Sequence, residues 1–259
     1  MGKPITNFAK LCVWLFCFSE KGVFMTDNIF HRTSLLIGND GIDILSKSKI
    51  WVFGVGGVGG YVVEALVRSG VGNIVVVDND VVSPSNINRQ IIATHSTIGR
   101  PKVDVIKERA LDINPDINIT AVHKAYLPEN SDEFDFSDAD YIVDAIDTVS
   151  SKVTLAVKAK EYGVDIISSM GTGNKLDNMS FEITDIYKTE TDPLARVMRR
   201  ELRKNRVENL AVVYSRAKPE VFGKDGERHP VTASVPWVPP VGGLIIAGRV
   251  IQDLLKRGN

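Results

Sequence analysis

Cysteine is nearly missing from this chain: Cys12 and Cys17 are the only two in 259 residues, and none follows them. That excludes a disulfide framework and a zinc site built from paired C-x-x-C motifs, and a reducing cytoplasm fits the usage. An excess of charge of either sign is also missing. The 31 basic and 32 acidic side chains leave a net charge of −1. A globally basic nucleic-acid binder is thereby excluded, although a local basic patch is not. The apolar run Leu11 to Phe18 has eight residues, too few to span a bilayer. Ser19-Glu20-Lys21-Gly22 behind it makes a poor signal-peptide cleavage site. No internal repeat and no Gly/Ser linker divides the chain. Residues 1–24 read as an extension unlike the rest, with Met25 as an alternative start, and residues 25–259 read as a single domain.

The composition that remains, 44% hydrophobic and 24% charged, is that of a globular protein. Its most informative string is Gly54-Val55-Gly56-Gly57-Val58-Gly59. The apolar run Ile50-Trp51-Val52-Phe53 precedes it, a helical stretch from Tyr61 to Ser69 follows, and a second apolar run, Ile74 to Val77, ends in Asp78. Strand, glycine turn, helix, strand and acid together describe a nucleotide-binding βαβ unit. Gly54 permits the tight turn, Gly56 lets the backbone approach a phosphate, and Gly59 lets the helix pack on the strand. Free N–H groups at the helix start face the anion. Asp78 is placed to accept hydrogen bonds from ribose hydroxyls.

Farther along, the pattern predicts a short helix over 42–47, a helix from Pro101 at its N1 position to Ile113, and strands over 117–122 and 140–145. A helix over 150–162 ends at Gly163, and a strand over 164–168 leads into the turn Gly171-Thr172-Gly173. The segment 79–100, polar and about twenty residues long, exceeds a passive connector. Alternation over 179–186 predicts an antiparallel strand, 193–206 a charged helix, and 210–215 another strand. Residues 218–230 are polar and read as mobile. An apolar helix over 241–255 reads as core, with peripheral membrane contact as its alternative. The fold class expected is α/β: a Rossmann-like, mostly parallel sheet extended by antiparallel strands, with helices on both faces.

The chemistry-bearing motifs are Asn86-Ile87-Asn88-Arg89-Gln90, then Gly99-Arg100-Pro101-Lys102, then Asp144-Ala145-Ile146-Asp147. In this order and spacing, together with the glycine turn, they resemble the adenylating family that includes ubiquitin-activating enzymes and the bacterial ThiF, MoeB and HesA proteins. The resemblance implies ATP as cosubstrate, held by Gly54, Gly56, Gly57, Gly59, Asp78, Asn86, Arg89, Gln90 and Lys102. It implies Arg89, Lys102, Asp147 and Arg32 as catalytic residues, with Asp147 holding magnesium on the phosphates. Arg32 matches a family arginine that reaches the neighbouring subunit's site, which implies a homodimer with Arg32 acting in trans.

The chemistry fits these residue types. Adenylation brings a carboxylate to the α-phosphorus of ATP while charge builds on departing pyrophosphate, so cations fixed in advance are the main device. Arg89 offers a forked donor and Lys102 a point charge. A carboxylate at the end of a strand suits a magnesium ion shared with phosphates. Each has a structural alternative. Asp147 would cap the helix starting near Ser150, Arg89 would pair with a surface carboxylate, and Lys102 and Arg32 would be solvated. Asp144 is read as structural.

With no cysteine beyond Cys17, an acyl-thioester on the folded body is excluded. Arg196, Arg199, Arg200 and Arg203 fall on one face of the predicted helix, a phosphate-backbone footprint whose alternative is a solvated face. This helix, the opening Arg32-Thr33-Ser34-Leu35-Leu36-Ile37-Gly38 and the closing Pro239-Pro240-Val241-Gly242-Gly243 resemble the tRNA threonylcarbamoyladenosine dehydratase subgroup. That resemblance implies a tRNA carrying threonylcarbamoyladenosine as partner and ATP-dependent closure of the modified base. Some members of the subgroup use a sulfur-transfer partner, which this cysteine usage does not support. The alternatives are adenylation of a ubiquitin-like carrier's C-terminus, a nicotinamide oxidoreductase, and a binding module with a degenerate nucleotide site.

Overall fold

In strand β1 (Lys49–Phe53), Ile50 and Val52 enter one apolar cluster while Trp51 and Phe53 enter another on the opposite side. A strand buried on both faces belongs inside a parallel sheet covered by helices on each side. The computed structural model, which describes residues 28–220 and 232–257, shows that arrangement. The expectations for residues 1–24 and 221–230 fall outside the described residues. Strands β2 (Asn73–Val77), β3 (Asn118–Val122), β4 (Tyr141–Asp144), β5 (Asp165–Ser169), β6 (Phe181–Asp185) and β7 (Ala211–Ser215) complete a seven-stranded sheet of order β3-β2-β1-β4-β5-β7-β6. Every neighbouring pair is parallel except β6 with β7. The antiparallel extension is therefore a single strand, and β7 inserts in parallel between β5 and β6.

The helices are α1 (His31–Lys47), α2 (Gly59–Arg68), α3 (Lys102–Ile113), α4 (Val149–Tyr162), α5 (Pro193–Lys204) and α6 (Pro239–Arg257). Helices α2, α3 and α6 pack over one face, and α4 and α5 over the other. Ile246, Ala247, Val250 and Leu254 of α6 lie in the first cluster, and α6 packs on α2, as expected of a core helix. Among the described residues no helix is long and apolar enough to cross a membrane.

Apart from α1, the helix boundaries lie within a residue or two of expectation, and α1 and α3 show why they move. Helix α1 starts eleven residues early and bends at Gly38, whose φ of 75° joins two helical pieces and interrupts the apolar periodicity that would have marked them as one element. Pro101 is the N-cap of α3, not its first residue, because its ψ of 132° is extended. Gly163 ends α4 in the left-handed conformation (φ 67°), as expected.

A charge network around the buried Glu64 fastens α2 to α3. Glu64 accepts from Arg109 Nε (2.7 Å) and Nη2 (2.9 Å) and from Arg68 Nε (2.8 Å). Burial pushes its carboxyl up, but the hydrogen bonds and charge of Arg109 and Arg68 outweigh this and hold it below the usual range. A depressed folded-state pKa gives stability that is present above the unfolded value and lost as pH falls through the folded one. Glu64→Gln is thus expected to cost about 1 kcal/mol near neutral pH, the low end because both guanidinium groups reach solvent. In chemical denaturation the gap should close toward pH 3; a gap independent of pH would remove the charge from the account.

The topology fixes the position of the site. Strand β1 leads through α2 on one face to β2, whereas β4, on its other side, leads through α4 on the opposite face to β5. The crossovers diverge between β1 and β4, so a crevice opens beyond their carboxyl ends.

Candidate nucleotide site

A cleft of about 700 Å³ lies at that divergence. Gly54, Gly56, Gly57, Asp78, Asn86, Arg89, Gln90, Lys102 and Asp147 all line it. Gly54 turns with φ +87°, and a Cβ there would lie 2.6 Å from the carbonyl oxygen of Ala145. Gly59 lies behind the wall, where a Cβ would lie 1.8 Å from the Gly54 carbonyl oxygen; its role is packing, not contact. A Cβ on Gly56 would meet only Gln90 Nε2, at 3.8 Å, so this backbone faces open space. Helix α2 has no side-chain cap; the N–H groups of Gly60 and Tyr61 donate to the Gly56 (3.0 Å) and Val58 (3.1 Å) carbonyls, so an anion would be met by the N–H groups of the glycine turn ahead of them.

Asp78 is tied into the turn. It accepts from the N–H of Val55 (2.6 Å) and of Asp80 (2.8 Å). Asn86 Oδ1 accepts from the N–H of Ser83 (3.0 Å), which orders the 79–100 segment. Gln90 is 7% exposed, and its Oε1 has no hydrogen-bond partner. An orphaned acceptor beside the open glycine backbone fits a site built for a polar ligand.

The cations differ in their resting contacts. Lys102 is 5% exposed and its Nζ lies 2.7 Å from Asp80. Arg89 Nη1 donates to the Ser85 carbonyl (3.0 Å) and to Asn88 Oδ1 (2.9 Å), and among the described residues no carboxylate pairs with it. The surface-pair alternative for Arg89 and the solvated alternative for Lys102 are thereby set aside. Asp147 is exposed, and the start of α4 has no side-chain cap, so Asp147 is not a helix cap. Among the described residues no three His, Cys, Asp or Glu side chains group to hold a metal ion. A cation at Asp147 would depend on ligand oxygens for the rest of its shell, the usual arrangement for magnesium on phosphates.

Asp144 is fully buried and lies 2.9 Å from the fully buried Lys152, in keeping with a structural reading. Arg32 is exposed on α1 and does not line the cleft. The four helix arginines do not line it either, although Leu194 at the start of α5 does. One of the four departs from the expected solvent-facing stripe: Arg199, half-buried, donates through Nη1 to the Thr189 carbonyl (3.0 Å) and hydroxyl, because the turn before α5 folds back against it. Arg196, Arg200 and Arg203 remain exposed, with Arg203 over the Tyr187 ring and Arg200 beside Glu201.

Sequence reasoning missed several parts of the cleft and of the buried structure that supports it. Asp80, the partner of Lys102, was signalled by two acids spaced one residue apart at a strand end. Lys152 was signalled by a cation in the first turns of a helix, where the helix dipole opposes it unless it is paired. A second buried pair, Lys175 with Asp192 (3.2 Å), holds the turn 171–173 against the N-cap of α5. The last wall comes from far along the chain. Asn88 Nδ2 donates to the Ser234 carbonyl (3.0 Å), and a Cβ on Gly57 would lie 3.1 Å from Pro239.

Fold and cleft define a class: a protein of Rossmann-like α/β architecture with a candidate nucleotide cleft, lined by both cations and carboxylates, at the switch point of its sheet. The sequence model of the ThiF family matches residues 30–257, and the chain belongs to that family. A tRNA threonylcarbamoyladenosine dehydratase of Bacillus subtilis is 42% identical over 240 residues, spanning 88% of this chain and 94% of the relative. The crystal structure of the Escherichia coli tRNA N6-threonylcarbamoyladenosine dehydratase in complex with ATP superposes with a TM-score of 0.81 at 28% identity. It covers 88% of this chain and 94% of that one. An adenylyltransferase and sulfurtransferase of Candida glabrata is 35% identical over 131 residues, 51% of this chain and 30% of the relative.

Proposed function

We propose that this chain is an ATP-dependent tRNA threonylcarbamoyladenosine dehydratase. It adenylates the threonyl carboxylate of the modified base and closes it to the cyclic form, releasing AMP and pyrophosphate. The observation that carries the reading is the convergence of Arg89, Lys102, Asp78, Asn86 and Asp147 on one cleft in a chain similar to dehydratases over nearly their whole length. Carrier-protein adenylation is the second reading. It rests on the same family, but its relatives match over only half of this chain.

The residues divide the work. Asp78 receives the ribose, and the glycine backbone with the α2 N-terminus receives phosphate oxygens. Arg89, free of carboxylates, and Lys102, on exchanging Asp80 for phosphate, neutralise the charge that builds as pyrophosphate leaves. Magnesium, held by Asp147 and the phosphates, would supply further neutralisation. Once the carboxylate is adenylated, the carbamoyl group of the same side chain displaces AMP. That attack is intramolecular and needs no enzyme nucleophile, in agreement with a body lacking cysteine after Cys17. The chain acts as a homodimer. Beside Arg32, Ile29, Leu35 and Leu36 are 61%, 73% and 89% exposed, an apolar face that a second copy would cover while Arg32 reaches its site. A tRNA substrate places the work in the cytoplasm.

The test is mass spectrometry of nucleosides from threonylcarbamoyladenosine-bearing tRNA incubated with enzyme and ATP. The expected result is loss of one water per modified base, with one AMP released for each. ATP–pyrophosphate exchange stimulated by a Gly-Gly-tailed carrier protein but not by tRNA would select the second reading instead. For the tRNA contact, the exposed Arg196 and Arg200 are the residues to neutralise. The double glutamine variant should weaken tRNA binding and reduce the slope of log K against log salt by about 1 to 2. An unaltered slope in filter binding would return α5 to a solvated face.

A further inference from the structure

Among the described residues, only a neighbouring hydroxyl touches the Asp147 carboxylate. That is Thr148, 3.3 Å from Oδ1, and the Asp147 side chain is exposed. Its position must come from the backbone before it. Ile146 is fastened there at both ends: its N–H donates to Asp144 Oδ1 (3.1 Å), and its carbonyl accepts from Lys152 Nζ (3.2 Å). Lys152 Nζ also lies 2.9 Å from Asp144 Oδ2 and donates to the Ser169 carbonyl at 2.9 Å. Ser169 lines the cleft just before the turn 170–173. The Asp144 carboxylate is further bound by the Ser168 hydroxyl. The three protons of the ammonium thus have three acceptors, two at the ends of β4 and β5 and the third in the loop just past β4.

The arrangement is a costly one. Both groups are fully buried, and Lys152 lies in the second turn from the positive end of α4. A well-packed apolar pair commonly serves stability as well as a buried ion pair does. Stability alone therefore does not account for the charges.

We infer that Lys152 is a positioning residue for adenylation. Through Ile146 and Asp144 it fixes the place of Asp147, and through Ser169 it joins that place to the turn on the other side of the cleft. The inference rests on the reading of Asp147 as the magnesium-holding carboxylate.

The test is the double variant D144N/K152M, which removes both charges without leaving one unpaired. After confirmation of folding by circular dichroism and melting, AMP formation on modified tRNA is measured across magnesium concentrations. The half-saturating magnesium concentration should rise about tenfold or more and kcat should fall, while tRNA affinity stays within about twofold. A purely structural role would move the melting temperature and leave magnesium dependence alone. A folded double variant with wild-type magnesium dependence overturns the inference. K152R, which keeps the charge but cannot direct three donors the same way, is read identically if the double variant does not fold. D147A separates the two claims. Wild-type magnesium dependence in D147A sinks the reading of Asp147 and this inference with it. An impaired D147A beside a normal double variant sinks the inference alone.

Discussion

Arg89→Ala is expected to slow AMP formation about a hundredfold or more, the usual loss when one donor aimed at developing charge is removed. The expectation is sharp because this arginine does so little else. Its resting bonds go to the Ser85 carbonyl and the Asn88 amide, both near the surface, and among the described residues no ion pair breaks when it is removed. A side chain of this kind changes stability by about 0.5 kcal/mol or less when truncated. Rapid-quench measurement of AMP beside calorimetry of the same preparation should therefore show a large kinetic loss at an unchanged melting temperature. Arg89→Lys should recover only part of the rate, since an ammonium cannot present two parallel donors. A variant as fast as the parent would remove Arg89 from the chemistry.

The second large effect is structural. In Gly59→Ala the new methyl would lie 1.8 Å from the Gly54 carbonyl oxygen and 2.9 Å from its carbon. Both are backbone atoms of the phosphate turn, so no rotamer change relieves the overlap. Either the first turn of α2 or the turn after β1 must shift. We expect a loss above about 3 kcal/mol, at the upper end of overpacking costs. That corresponds to a melting temperature lower by roughly 6–12 °C for a domain of this size, together with loss of ATP binding. Gly248→Ala is the control. It has nothing within 4 Å of the new methyl and sits inside α6, so it should gain up to about 1 kcal/mol from helix propensity. If Gly59→Ala melts and binds ATP like the parent, the packing account of the third glycine fails.

What the sequence disclosed, and what it withheld, follows from the range of the interactions involved. The strand–turn–helix around Gly54 was legible because its apolar runs, its glycine spacing and its closing acid all lie within thirty residues. Arg89, Lys102 and Asp147 were legible as a set because each lies on a motif whose spacing survives as linear order. The buried pairs were not. Lys152 with Asp144, and Lys175 with Asp192, look like ordinary surface charges until the sheet brings β4 beside β5 and the turn 171–173 beside α5. Arg199 misled for the same reason: helical spacing gave its direction but not the Thr189 turn that folds onto it. Helix α1 was underestimated because Gly38 breaks its periodicity, and the order β5-β7-β6 needed long-range pairing that no local pattern encodes.

The segment before α6 carries one more implication. Pro239 stands against Gly57, Ser234 is bonded to Asn88, and a Cβ on Gly243 would lie 2.4 Å from the Val58 carbonyl oxygen. The glycine loop is among the first parts of the domain to leave the ribosome, and the residues that back it are among the last. A nascent chain therefore carries the nucleotide fingerprint for most of its synthesis without a finished pocket. A chain that stops before α6 lacks the backing of Gly57 and Val58, so its glycine loop is not held as it is in the whole domain.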